Sequence, residues 1–134
     1  MAGDTVTSKV LFAGKKLYVI KITNISDGTG ESGVVKVDKS TLTGLTGVEP
    51  AKIAVEQIKG IVDGMTVTLS FDRTSAITIA ILGGLGTCNV DLDWRDVGGI
   101  LDTGSGNTGD IKLTTTAHSS GDSYDLTLYC RLVN

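Results

Sequence analysis

Tyr124-Asp125-Leu126-Thr127-Leu128-Tyr129-Cys130-Arg131-Leu132-Val133 alternates two kinds of position over its whole length. Successive side chains of a strand point to opposite faces. Tyr124, Leu126, Leu128, Cys130 and Leu132 therefore form one core-facing set, and Asp125, Thr127, Tyr129, Arg131 and Val133 form the other face. The same period runs through Ile111, Leu113 and Thr115 against Asp110, Lys112, Thr114 and Thr116. Between the two strands, Ala117-His118-Ser119-Ser120-Gly121-Asp122 reads as a hairpin loop. Met65, Val67, Leu69 and Phe71 make a third inward set, with Thr66, Thr68, Ser70 and Asp72 outward. Val90, Leu92 and Trp94 alternate with Asn89, Asp91, Asp93 and Arg95, which predicts Trp94 as an anchor of the core.

Asp63-Gly64, set between Val62 and Met65, predicts a two-residue hairpin with a type I′ turn. Its partner, about Lys52–Val62, slips in phase: Ile53 and Val55 share one parity, Ile58 and Val62 the other. A bulge near Gln57 reconciles them, although the stretch also admits a short helix. Ser75–Leu82 is a continuous apolar run ending at Gly83-Gly84, which predicts a central strand buried on both faces. Thr5–Phe12 and Lys16–Ile25 read as strands joined by Ala13-Gly14-Lys15, and Gly33–Val37 as another. The longest expected loops are Asp38–Pro50 and Val97–Gly109.

Composition agrees with this rhythm. Val, Ile and Thr supply 42 of the 134 residues, and side chains branched at Cβ fit a pleated, half-buried surface. Eighteen glycines suit a chain of many turns, and six aromatics leave the core to aliphatic side chains. The reading is all-β: an antiparallel β-sandwich or jelly roll of about nine short strands. Residues 1–134 form a single domain, with 1–12 as an N-terminal arm or edge strand.

A formal net charge of −3 argues against a nucleic-acid binder, which normally carries a basic surplus. No apolar run approaches the roughly 20 residues of a membrane-spanning helix, so neither nucleic acid nor membrane is an expected partner. Charge is uneven along the chain. Residues 1–60 carry eight Lys and six acids; residues 61–134 carry four basic groups and nine acids. That imbalance would suit head-to-tail or neighbour-to-neighbour contact, but a solvated surface is the preferred reading.

The start of the chain has no basic segment followed by an apolar stretch, so nothing there resembles a secretory signal. Cys88 and Cys130 are accordingly expected as thiols, with Cys130 a small buried hydrophobe. The Asn24-Ile25-Ser26 sequon is then a chance match.

Motifs that carry chemistry are few. Ile100-Leu101-Asp102-Thr103-Gly104-Ser105 resembles the catalytic loop of aspartic proteases, whose chemistry needs two carboxylates sharing a proton. The chain has no second Asp-Thr/Ser-Gly, and no apolar-apolar-Gly stretch follows, so the segment reads as a Gly-rich surface loop. His118, the one histidine, sits in a predicted loop with no Gly-x-Ser-x-Gly to mark a nucleophile. Gly83-Gly84-Leu85-Gly86 and Ala13-Gly14-Lys15-Lys16 precede no helix that would hold a phosphate, so both read as turns. Asp91, Asp93, Asp96, Asp102, Asp110 and Asp27-Gly28-Thr29-Gly30-Glu31 offer oxygens for a structural Ca²⁺ but lack an EF-hand pattern. Arg95 partly neutralises the first group. No catalytic, cofactor-binding or metal residue is assigned, no cofactor is implied, and an enzyme is the least favoured reading.

Asp93-Trp94-Arg95-Asp96-Val97-Gly98-Gly99, then Thr108-Gly109-Asp110-Ile111-Lys112-Leu113-Thr114-Thr115-Thr116, and finally Gly121-Asp122-Ser123-Tyr124 carry a family likeness. This pattern, spread over about Asp91–Asn134, resembles small virion structural proteins of tailed bacteriophages. These are short, Thr- and Gly-rich, all-β chains that coat or join the particle. The resemblance implies a non-enzymatic virion component made in the bacterial host cytoplasm. It fits best a capsid decoration (cement) protein that adds contacts between coat subunits. Its partners would be phage virion proteins, the major capsid protein first, and further copies of itself in a homo-oligomer. Residues 1–12 and the 38–50 and 97–109 loops are the expected contact regions. A neck, tail or baseplate position is the alternative within the family. A carbohydrate-binding β-sandwich module is the alternative outside it, although Trp94 and Tyr124 lie on predicted core faces and leave few aromatics to stack on sugars.

Overall fold

The computed structural model describes residues 5–42, 52–73, 77–83, 86–101, 107–116 and 119–133, with backbone alone at 5, 40, 73, 77 and 107–109. Ten strands run in chain order: β1 (Thr5–Ala13), β2 (Leu17–Ile25), β3 (Val34–Val37), β4 (Lys52–Asp63), β5 (Thr66–Arg73), β6 (Ile77–Gly83), β7 (Thr87–Asp93), β8 (Ile100–Leu101), β9 (Asn107–Thr116) and β10 (Ser123–Val133). Short 3-10 turns occupy Lys39–Thr41 and Arg95–Val97, and no α-helix occurs among the described residues. The first sheet has the order β1-β2-β10-β4-β7, with β8 also beside β4; the second has the order β3-β9-β5-β6. Every pairing is antiparallel. The all-β sandwich expected from the alternation is the fold.

The two inner faces meet in one core. Tyr18, Ile20 and Ile22 of β2, Ile58 and Val62 of β4, and Leu126, Leu128 and Cys130 of β10 come from the first sheet. Val67, Leu69 and Phe71 of β5 and Ile111 and Leu113 of β9 come from the second. Each fully buried aliphatic or Phe side chain contributes about 1.5–3 kcal/mol relative to exposure, so this interlayer is the main source of stability. The phase slip in β4 is a bulge. Pairing with β10 passes from Tyr129↔Gln57 to Cys130↔Val55, skipping Glu56, and so Ile53, Val55, Ile58 and Val62 all reach the core. The strand forms and the helix does not.

Five details differ from the sequence reading. Asp63-Gly64 does not close a hairpin: β4 lies in the first sheet and β5 in the second, so the turn carries the chain across the sandwich. Gly64 adopts φ +82°, and its N–H donates to the carbonyl of Gly86 at 3.1 Å. Residues 117–122 likewise link β9 of the second sheet to β10 of the first. A period of two marks which side chains face the core. It does not say whether the next strand lies beside or opposite, because both arrangements bury the same set. The apolar run near Ser75–Leu82 forms β6, an edge strand and not a central one: Ile79 and Leu82 are buried, whereas Ile81 is 69% exposed. Trp94 is only partly buried and packs on the margin of the core, since the chain leaves β7 for a 3-10 turn there. The tenth strand, β8, lies inside the segment read as the 97–109 loop.

Candidate functional site

The strand order leaves β1 at one end of the first sheet, with a neighbour on one side only. Its register with β2 runs from Thr5↔Ile25 to Ala13↔Tyr18, with a slip between Val10 and Phe12. Val6, Ser8 and Val10 thus stand on the core face beside Asn24, Ile22 and Ile20, and Thr7 and Lys9 on the outer face beside Thr23 and Lys21. The core face of β1 is nevertheless uncovered. Val10 is 48% exposed there and Val6 is exposed too; Leu11, at the slip, and Phe12, opposite Val19 on the outer face, are also exposed, Phe12 by 53%. Alongside, Val10, Ala13, Tyr18, Thr41, Leu42 and Leu132 line a largely apolar groove of about 420 Å³. Burial, with a smaller contribution from Cys130, pushes the Tyr18 phenol above its ordinary value, so it stays neutral at the groove floor. An edge strand of exposed apolar side chains is a template for pairing with another chain.

At the other end of the sheet lies β7. Its register with β4 places Asn89, Asp91 and Asp93 outside, and Cys88, Val90 and Leu92 on the core face. Between β6 and β7 the flank opens into a groove of about 350 Å³, lined by Ile81, Leu82, Cys88, Val90 and Leu92 among others. Arg95 folds back on Asp93, its Nη2 2.7 Å from Oδ2 and its Nε 3.0 Å from Oδ1. These hydrogen bonds hold the Asp93 carboxyl well below the usual carboxylate range.

One buried polar cluster ties the two sheets together. Glu31, in the β2–β3 connection, accepts hydrogen bonds at Oε1 from Asn24 Nδ2 and from the Tyr124 hydroxyl, both at 2.6 Å. Its Oε2 meets Lys36 Nζ at 2.6 Å. Its N–H donates to Thr115 Oγ1, and its carbonyl accepts from the Thr115 N–H, both at 2.9 Å. Asn24 and Tyr124 belong to the first sheet, Lys36 and Thr115 to the second. Sequence reasoning missed this tie and noted Glu31 only among oxygens on offer to a Ca²⁺, without assigning it. The available signal was a polar residue at the core-facing position Asn24, followed by an acid and a base flanking Gly33.

The other singled-out residues are dispersed. Asp102 and His118 lie outside the described residues, as do Gly84 and Leu85. Asp27 Oδ1 accepts from the N–H and hydroxyl of Thr29, and Asp110 Oδ1 accepts from the Lys39 N–H at 2.8 Å. Asp91 and Asp93 share the outer face of β7, as their parity predicts, while Asp110 lies on β9 of the opposite sheet. Among the described residues, no three His, Cys, Asp or Glu side chains gather where one metal ion could be held. Cys88 and Cys130 are both free thiols, the first partly and the second fully buried. No helix among the described residues is long and apolar enough to cross a membrane. No family model matches the chain, and searches of curated proteins and of solved structures find no match either.

Proposed function

We propose that this chain is a non-enzymatic structural component of a tailed-bacteriophage particle, acting as a capsid decoration protein. The observation that carries the reading is β1, a nine-residue edge strand whose apolar Val10, Leu11 and Phe12 face solvent on a closely packed sandwich. A coat subunit laid along that edge gains apolar burial and main-chain hydrogen bonds together. Such added contact across subunit boundaries lets a shell resist pressure from within. Val97, three-quarters exposed on the turn after β7, offers a second apolar contact in the other expected region. The phage setting rests on the resemblance over Asp91–Asn134.

The test is mass spectrometry of purified particles of the phage that encodes the chain, with copy number measured against the coat protein. Hundreds of copies per particle support decoration. A handful moves the protein to the neck, tail or baseplate. Its absence from particles defeats the proposal. Among particles that hold it, Phe12→Asp should lower occupancy without unfolding the free protein, because Phe12 is exposed.

A further inference from the structure

The hairpin of β1 and β2, residues 5–25, carries Lys9, Lys15, Lys16 and Lys21 and no acid. β7, at the far end of the same sheet, carries Asp91 and Asp93 and no base. The β1 edge is therefore basic, with Val6 and Val10 exposed on it; the β7 edge presents the Asp91 carboxylate, while Asp93 is already bonded to Arg95 and Lys59 of β4 stands opposite Asp91. We infer that these edges are complementary to each other, so that copies of this chain join head to tail, β1 of one extending the first sheet of the next at its β7.

Parity supports this pairing in one register. Lys9 stands on the outer face of β1, and Asn89, Asp91 and Asp93 stand on the outer face of β7. With the faces continuous the new pairing runs parallel, and the register that sets Lys9 opposite Asp91 also sets Val6 and Val10 opposite Cys88 and Leu92. Val10, uncovered in the single chain, then meets the groove that Ile81, Leu82 and Val90 line. Symmetric pairing has no such match. Two β1 edges would set Lys9 of one copy near Lys9 of the other, and two β7 edges would set Asp91 near Asp91. Charge here selects the partner edge, and apolar burial supplies the affinity. A heterologous contact of this kind repeats, closing into a ring if the rotation allows and otherwise continuing as a filament.

Both readings call on the free edge of β1, so a copy paired there excludes a coat subunit from that strand. Assembly is read on the free chain and occupancy on particles, which keeps the failure of one distinguishable from the failure of the other. The test is sedimentation velocity with light scattering on the full chain and on variants at exposed positions. Lys9, Val10 and Asp91 are all exposed, so their replacement leaves the sandwich intact, which the thermal midpoint checks. The wild type should form concentration-dependent oligomers. Lys9→Asp and Asp91→Lys should each weaken assembly about tenfold, with the double exchange restoring most of it. Val10→Lys spoils one edge and Asp91→Lys weakens the other, so at a concentration where each alone is mainly monomeric the mixture should give a one-to-one dimer. A monomeric wild type at its highest soluble concentration would overturn the inference. So would an Asp91→Lys variant that assembles like wild type, since that result would mean β1 pairs with β1.

Discussion

Glu31 and Lys36 form an ion pair at 2.6 Å with side chains only 5% and 3% exposed, and the pair joins the β2–β3 connection to an edge strand of the second sheet. Burying two charges costs more than their attraction returns unless further hydrogen bonds satisfy them. Here Asn24 and Tyr124 supply those bonds from the opposite sheet. Removing only the cation leaves a buried carboxylate without its counter-charge. Lys36→Met should therefore cost about 3–5 kcal/mol in urea unfolding. Adding Glu31→Gln, which keeps a carbonyl oxygen for Tyr124 and Asn24, should recover at least about half of that loss. A Lys36→Met variant as stable as wild type would show that the pair is not a tie between the sheets.

Gly60 occupies the middle of β4 at φ +147°, and a Cβ built there would run into the backbone carbonyl of Asp125 on β10. The two strands pair closely at this point, with Gly60 opposite Leu126. Backbone cannot retreat as a flexible side chain can. Gly60→Ala should thus destabilise by about 1–3 kcal/mol, although alanine normally favours order over glycine. Gly121, at φ +95° with nothing near its Cβ position, is the control: Gly121→Ala carries backbone strain alone and should cost less. Equal losses at the two sites in urea titrations would refute the steric account.

Phe71 is fully buried among aliphatic neighbours and is one of only two phenylalanines in the chain. A close-packed core relaxes only partly into the space a truncated side chain leaves. Phe71→Ala should cost about 3–5 kcal/mol, and Phe71→Leu under about 1.5, by the volume each leaves empty. Calorimetry would check the ranking, and a smaller loss for Ala than for Leu would contradict it.

Which side chains face the core was legible from period alone, as Leu126, Leu128, Val67 and Ile111 show. The bulge that skips Glu56 was legible too, because two apolar parities in one strand have few other solutions. Which strands lie side by side was not legible. Val62-Asp63-Gly64-Met65 has the local chemistry of a hairpin, but the choice between hairpin and crossing depends on which sheet the distant strands β9 and β10 have already joined. The same limit hid the Glu31 tie. Its partners come from residues 24, 36, 115 and 124, which only the folded sandwich brings together. That Val10, on the core face of β1, stays 48% exposed was not legible either, because alternation marks a face and not what lies over it.

Cys130 sits on the core face of β10, and burial, with a lesser push from Glu56, raises its thiol to about 12 from an ordinary 9.0. Cys88 is only partly buried. A thiol-specific reagent at neutral pH should therefore label one cysteine per native chain and two after unfolding, with Cys88 the first. The sign of the pH effect follows from the raised value. The folded protein keeps a proton that the unfolded thiol gives up near pH 9, so this contribution is fully present below pH 9. It is lost as pH rises from 9 towards about 12. The thermal midpoint should fall over that window, and it should fall less steeply in Cys130→Ala, with the raised phenol of Tyr18 accounting for part of the remainder. Two cysteines reacting at equal rates in the native state, or an unchanged slope in Cys130→Ala, would contradict a thiol sealed between the sheets.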